Sequence, residues 1–296
     1  MDQSAEVVKK NLEGLIGHME RIPTPASYGS IIVQMLNDPT CNLKKIAQLV
    51  SQDVGLTAQI LKLNCSPAEG IPAPLIKPKD TMVRMGLDAL KYVIESNIVP
   101  VDYFEPTPAF EQLWESSVKT AFIAKAIGEI LHCKQPEIYF TAGLLCDIGL
   151  FMIHAFEKNL YDRLLVEMAE KKTHIVCVES LYLDTTHQEL GAQIIAQWRF
   201  PKLYELITRY HHDPIKMIGQ FSREDFQILA AVHIANNLSQ TLNKSPRFRI
   251  NQIIKGRAGL KMTDEVLFKR IDVKTEAEQP QIRELTKMIF QREEAA

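Results

Sequence analysis

Asp147 lies inside Tyr139-Phe-Thr-Ala-Gly-Leu-Leu-Cys-Asp-Ile-Gly149, a run that continues through Leu-Phe-Met-Ile-His154 and is apolar on every side of a helix. Its carboxylate must therefore be buried, and there it stays ionised only opposite a cation, a histidine or donated backbone N–H groups. Two local readings are open. A metal faces the carboxylate, or Gly149 ends the helix and Asp147 caps the next one; the cap is the commoner use of Asp at a helix junction and is the reading favoured on local grounds. Three histidines and an amide extend the set. His187 lies three residues before Leu190 and seven before Ile194, on the apolar face of its helix. His211 closes the stripe Leu203, Ile207, Tyr210, with His212 beside it expected to point elsewhere, and Asn236 shares a face with Leu229 and Val232. Taken singly, each is more often a satisfied core residue than a ligand. Together, Asp147, His187, His211 and Asn236 on inward faces of successive helices predict a polar pocket in a bundle.

The elements that must carry these residues read as helices. Val8, Leu12, Leu15, Ile16 and Met19 recur at three and four until Ile22-Pro-Thr-Pro25 stops them. A helix through Ile31 to Leu36 ends at Asn37-Asp-Pro39, and Asn42 caps the next, through Leu43 to Val50. After Asp53 comes a helix with Leu56, Ile60 and Leu63; Pro67 to Pro78 is a loop, and Asp80 to Met85 and Leu87 to Ile94 are two short helices broken at Gly86. Beyond the prolines of Asn97 to Phe110, one long stripe runs from Phe110 to Leu131. The Asp147 helix, a polar helix over Leu160 to Glu170 and helices at Leu190–Trp198 and Leu203–Tyr210 follow. Ser222, with Asp225 three residues on, opens a helix through Leu242. Thr241 to Thr263 reads as irregular, and Ile282, Leu285 and Ile289 predict a tail helix that docks back on the body. No β-branched alternation appears. The fold class is all-α and two-lobed: residues 1–105 form a first helical lobe, 106–243 a second, and 244–296 a basic loop with a tail helix.

At 296 residues the chain can bury a full core, and its 46% apolar and 24% charged residues are those of a soluble globular protein. There is no basic start followed by an apolar run and no stretch of eighteen uncharged apolar residues, so a cytoplasmic protein is expected. Cys41, Cys65, Cys133, Cys146 and Cys177 are odd in number and form no CxxC pair, which argues for free thiols over a disulfide framework or zinc knuckle. A net charge of −2 gives no global pull toward nucleic acid or anionic membrane.

The order of the polar residues resembles the HD superfamily of metal-dependent phosphohydrolases, whose signature is an early histidine, an adjacent His-Asp pair, later histidines and a final aspartate. More closely, the span from about Pro23 to Leu242 resembles the HDOD family. In the first lobe the resemblance rests on Ile22-Pro-Thr-Pro25, Leu49-Val-Ser-Gln-Asp53, Leu56 to Asn64 and Met85-Gly-Leu87. In the second it rests on Leu113-Trp-Glu-Ser-Ser117, Ala142 to Gly149, Glu179, His187-Gln-Glu-Leu-Gly191, Trp198-Arg-Phe-Pro201, Tyr210-His-His-Asp-Pro214 and His233-Ile-Ala-Asn236. The resemblance also exposes departures. Ser116 stands at the early histidine, Cys146 at the histidine of the His-Asp pair and Asn236 at the final aspartate; Asp147, His187, His211 and His212 survive.

Serine and asparagine are neutral and poor replacements for metal ligands, and Cys146 is a soft one, better suited to zinc than to magnesium or manganese. What the resemblance implies is a non-catalytic signalling module on a degenerate phosphohydrolase scaffold, binding a partner protein or small ligand, with no cofactor expected. The alternative is a metal-dependent phosphohydrolase with a site rebuilt from Cys146, Asp147, His187 and His211. A third reading, nucleic-acid binding through Lys244, Arg247, Arg249, Lys255, Arg257 and Lys261 with Phe248 interleaved, is weaker than that of a solvated basic loop, given the overall charge. In the first lobe, Met82 and Met85 either line an apolar groove for a partner or fill a core, which is the commoner use.

Overall fold

The computed structural model describes residues 5–38, 40, 42–65, 78–98, 107–241 and 249–290, and among them the secondary structure is helical throughout, with no strand. The helices are α1 (Ala5–His18), α2 (Ala26–Asn37), α3 (Leu43–Val50), α4 (Val54–Asn64), α5 (Pro78–Met85), α6 (Leu87–Asn97), α7 (Pro108–Ile130), α8 (Pro136–Leu145), α9 (Ile148–Phe156), α10 (Lys158–Lys171), α11 (Ile175–Leu183), α12 (His187–Gln197), α13 (Lys202–Tyr210), α14 (Arg223–Thr241), α15 (Gln252–Ala258), α16 (Asp264–Thr275) and α17 (Gln279–Phe290). Starts and stops follow the sequence signals. Asn42 accepts from the N–H groups of Lys44 and Lys45, and Gly86, at φ 80, breaks α5 from α6. The Ser222 hydroxyl accepts from the Asp225 N–H at the start of α14.

Helices α2 to α6 pack together, as do α7 to α16, while α1 crosses to lie on α9, α11 and α12 and α17 touches both α2 and α7. One buried carboxylate ties the first group to the second. Asp53 caps α4 through the Leu56 N–H at 2.7 Å, accepts the Thr24 hydroxyl at 2.7 Å, and reaches the indole N–H of Trp114 on α7 at 3.3 Å. The stretch Pro136–Phe156 has the length and apolarity to cross a membrane, but its apolar window is 94% buried inside the protein, so it is part of the core.

Three elements depart from the sequence expectation. Helix α11 reads Ile-Val-Cys-Val-Glu-Ser-Leu-Tyr-Leu, β-branched and apolar without a clean period, and burial of Ile175, Val178, Glu179 and Leu183 fixes its inner face. Between Thr241 and Thr263, expected to be irregular, Asn251 caps the short α15; helix α16 then follows, with its buried Leu267 and Ile271 among charged residues. Of the expected loop Pro67 to Pro78, residues 67–77 lie outside the described residues and Pro78 already opens α5. Of the expected boundary at 97–110, residues 99–106 also lie outside them. Met82 is fully buried and Met85 half-buried, so they fill core and do not line a groove.

Candidate functional site

The apolar run breaks at Cys146 and Asp147, between α8 and α9. Asp147 occupies the first position before α9, but its side chain makes no capping bond. The capping role is therefore corrected: the carboxylate turns inward, to partners delivered by α12, α13 and α14. Close approach of α9 and α12 makes this possible. A Cβ on Gly149 would sit 2.0 Å from the carbonyl oxygen of His187, so only glycine lets the start of α12 come this near to Asp147.

Asp147 is 2% exposed, and His187 and His211 are fully buried. Oδ1 of Asp147 lies 3.2 Å from His211 Nε2 and 3.5 Å from His187 Nε2, and Oδ2 accepts the Asn236 amide at 2.6 Å. The outer nitrogens are assigned by their partners. His187 Nδ1 sits 2.8 and 2.9 Å from the two oxygens of Glu179, which also accepts the His187 backbone N–H at 3.1 Å. His211 Nδ1 sits 2.8 Å from the Thr208 carbonyl oxygen. A carboxylate and a carbonyl only accept, so both Nδ1 atoms carry protons and both Nε2 atoms turn toward Asp147. His233 Nδ1, 2.7 Å from the His211 carbonyl oxygen, holds that backbone from α14.

The result is a meeting of acceptors. Asp147 Oδ1 and His211 Nε2, though 3.2 Å apart, are not aligned as a hydrogen bond, and both are buried without a partner. A cation between them resolves this, whether a proton or a metal ion. His212 supplies a further donor, its Nε2 lying 3.2 Å from His187 Nε2. Ligand atoms of Asp147, His187, His211 and His212 all fall within 4.8 Å of one another. Three of the six spacings among them, 3.2 to 3.5 Å, match the edge of a tetrahedron with bonds near 2.0 Å, about 3.3 Å, and the set as a whole stays within 4.8 Å. These residues fit a divalent ion.

The electrostatics likewise call for a cation beside Asp147. Burial pushes the Asp147 carboxyl up, but the imidazoles of His211 and His187 and the Asn236 amide outweigh it and hold the group at about 2. Burial pushes His187 down; the charge and hydrogen bonds of Glu179, with Asp147, more than reverse this. Burial and the neighbouring imidazoles of His211, His187, His174 and His233 drive His212 far below the usual histidine range, so it is neutral and has a lone pair to give.

Two expectations about ligands are corrected. His212 joins the cluster because α13 ends at Tyr210 and the chain turns at His211 and His212, so two adjacent residues face one point. Cys146 does not join: its thiol donates to the Gly143 carbonyl at 3.2 Å, and burial with the Asp147 charge keeps it protonated. The set is thus Asp147, His187, His211 and His212, not one containing Cys146. Asn236 serves as a donor to Asp147. Ser116 meets Ser239 at 3.1 Å, and the Ser239 hydroxyl donates to the Asn236 carbonyl at 2.9 Å, so Ser116 braces α14 one step behind the cluster. Glu179 had no assigned role in the sequence; a buried acid eight residues ahead of a buried histidine was the available signal.

The basic set is also reduced. Lys244, Arg247 and Phe248 lie outside the described residues, Lys255 is buried and paired with Asp264 at 2.6 Å, and Arg249, Arg257 and Lys261 are exposed.

The HDOD domain family matches residues 22–214, about two thirds of the chain. The chain belongs to the HDOD family. An HDOD domain protein with unknown function from Geobacter sulfurreducens shares 25% identity with a TM-score of 0.54, covering 97% of this chain and 99% of that one. The MmoQ response regulator from Methylococcus capsulatus str. Bath has 21% identity and a TM-score of 0.63 over 84% of this HDOD chain and 97% of its own. A curated relative, an uncharacterized protein of Treponema pallidum (strain Nichols), is 24% identical over 224 residues; the match takes in 71% of this HDOD chain and 43% of that protein's length.

Proposed function

We propose that this HDOD protein is a regulatory module that acts by binding a partner protein or small ligand, and that its Asp147 cluster holds one divalent ion as a closed structural centre without hydrolysing phosphoesters. The observation that carries the second part is the commitment of Asp147. Its Oδ2 is taken by the Asn236 amide at 2.6 Å, its Oδ1 faces two imidazoles, and the residue is 2% exposed. A hydrolytic ion needs an open position where water and phosphate meet it, whereas four protein ligands around zinc close the shell. Where hydrolytic relatives carry a last aspartate, the Asn236 amide donates to a ligand and adds no negative charge.

The charge count favours a divalent ion. Asp147 and Glu179 are two buried carboxylates whose contacts inside the site are imidazoles and amides, and a doubly charged ion balances them. When bound, the ion would supply local charge and rigidity, and Glu179 and Thr208 would keep the His187 and His211 rings aimed at it. Metal analysis of protein purified without chelator tests the centre, with about one equivalent of a borderline metal such as zinc expected. Assays of mono-, di- and cyclic nucleotides with Mn, Mg, Fe or Ni test the lack of turnover.

A second reading is kept by one observation. His212 is only half-buried, so the ligand set has one wetter side from which a water could approach an ion. Turnover above background that Asp147→Ala abolishes would establish the phosphohydrolase reading in place of the first.

A further inference from the structure

Three of the four converging donors, Asp147, His187 and His211, are buried, and His212 is half-buried, so exchange between the cluster and solvent passes on the His212 side. The residue standing there is His174. It is exposed, and its ring lies edge-to-face with that of His212, centroids 4.7 Å apart at 78°. It does not sit there by chance of rotamer. His174 is the capping residue of α11, and its Nδ1 accepts the Val176 N–H at 3.3 Å. With Nδ1 used as an acceptor, the neutral ring carries its proton on Nε2 and has no lone pair left for a metal. Helix α11 thus meets the cluster twice: Glu179 orients His187 from within, and His174 lies over His212 from outside.

We propose that His174 is a cover for the cluster, a ring held by its capping bond across the side through which an ion is loaded and released, and not itself a ligand. This rests on the reading that the cluster holds a divalent ion. It assigns α11 a kinetic role: the ring sets how fast the centre exchanges its ion, while the four donors set how tightly they hold it.

The test uses the full chain and Co(II), whose visible absorption reports its ligands. His174→Asn keeps a side-chain oxygen for the Val176 N–H, as asparagine is among the preferred capping residues, and removes the ring. A thermal melt of the chelator-treated variant within a few degrees of the parent verifies that the fold is kept. Loading of Co(II) and its release to excess chelator are then followed by stopped flow. The expected result is that both rates rise by about tenfold or more, with the same absorption spectrum and an affinity within about threefold, because a cover slows both directions alike. Rates within twofold of the parent would overturn the proposal. So would a tenfold loss of affinity with a changed spectrum, which would make His174 a ligand. Parent protein that binds no Co(II) refutes the structural-ion reading and this proposal with it, whereas a parent that binds Co(II) and a variant that exchanges it at the parent rate refutes the cover alone.

Discussion

Glu179 grips His187 twice, its carboxylate lying 2.8 and 2.9 Å from the ring Nδ1 and accepting the backbone N–H of the same residue at 3.1 Å. Both residues are fully buried, so the contact fixes the tautomer, the ring plane and the start of α12 at once. Glu179→Gln keeps the size and one acceptor but removes the charge behind the imidazole. Metal affinity should fall by about 10- to 100-fold with the four donors untouched. Competition titration of zinc against a chromophoric chelator measures this, and an affinity unchanged within threefold would show that the carboxylate is only structural.

Asn236→Asp restores the type of residue that hydrolytic relatives carry, and its effects should have opposite signs with and without metal. Without metal, a second carboxylate at the position of an amide 2.6 Å from Asp147 Oδ2 places like charges together in a buried site. Loss of the donor and repulsion should cost about 2–4 kcal/mol in chelator-treated protein, read by urea denaturation. With metal present the added charge should tighten binding by tenfold or more. A variant less stable in both states would mean that Asn236 serves packing alone.

Acid should destabilise the metal-free protein well before its carboxylates titrate. His212 and His233 are both held below the ordinary histidine range, chiefly by burial, so the folded state refuses protons that the unfolded chain accepts below about pH 6.5. Their contribution is present above that pH and lost as pH falls. His187 runs the other way: its raised value gives stability present below about pH 6.5 and lost as pH rises through the folded value. Between pH 6 and 5 His187 is protonated in both states and drops out, so the slope comes from the lowered groups alone, about 1.4 kcal/mol per pH unit for each that stays neutral in the folded protein; His174, also lowered by burial but exposed, adds less. The Asp147 carboxylate adds its own loss only lower, from about pH 4 toward its folded value of about 2. Urea midpoints at pH 5, 6 and 7 in the presence of chelator check the sign; a midpoint that is flat or rises on acidification would contradict it.

Much of this was legible in the chain because helices announce themselves by period and by cap. The stripe from Phe110 to Leu131 became α7, Asn42 and Ser222 cap where their side chains suggested, and His187, His211 and Asn236 point inward with their apolar neighbours. What a period cannot tell is what happens where a helix ends. On a continuing helix, adjacent residues diverge by about 100°, which is why His212 was expected to turn away from His211. Helix α13 ends at Tyr210 and the chain turns at His211 and His212, which brings His211 Nε2 to 3.2 Å from Asp147 Oδ1 and His212 Nε2 to 3.2 Å from His187 Nε2. Asp147 is the same lesson at a helix start: the position before α9 is a capping position, but His187, His211 and Asn236 come from 40 to 89 residues away and outcompete the local backbone.

That dependence on one close crossing makes Gly149→Ala the sharpest probe of the arrangement. The added methyl would fall 2.0 Å from the His187 carbonyl oxygen and 2.9 Å from its Cα, against backbone that cannot swing aside as a side chain could. Helices α9 and α12 must then part, at a cost of about 1–3 kcal/mol or more for overpacking a core. Because His187 is the first residue of α12, the same displacement carries its ring away from Asp147. Loss of stability and loss of metal affinity should therefore appear together, with the affinity falling at least tenfold in protein that still melts cooperatively. Gly128→Ala provides the comparison, since its methyl would meet the ring carbons of Tyr139 at 2.8 to 3.0 Å, between α7 and α8 and away from the α9–α12 crossing. It should cost stability while sparing affinity by comparison. Equal loss of affinity in both variants would mean that the cluster responds to general loosening of the core and not to the α9–α12 crossing.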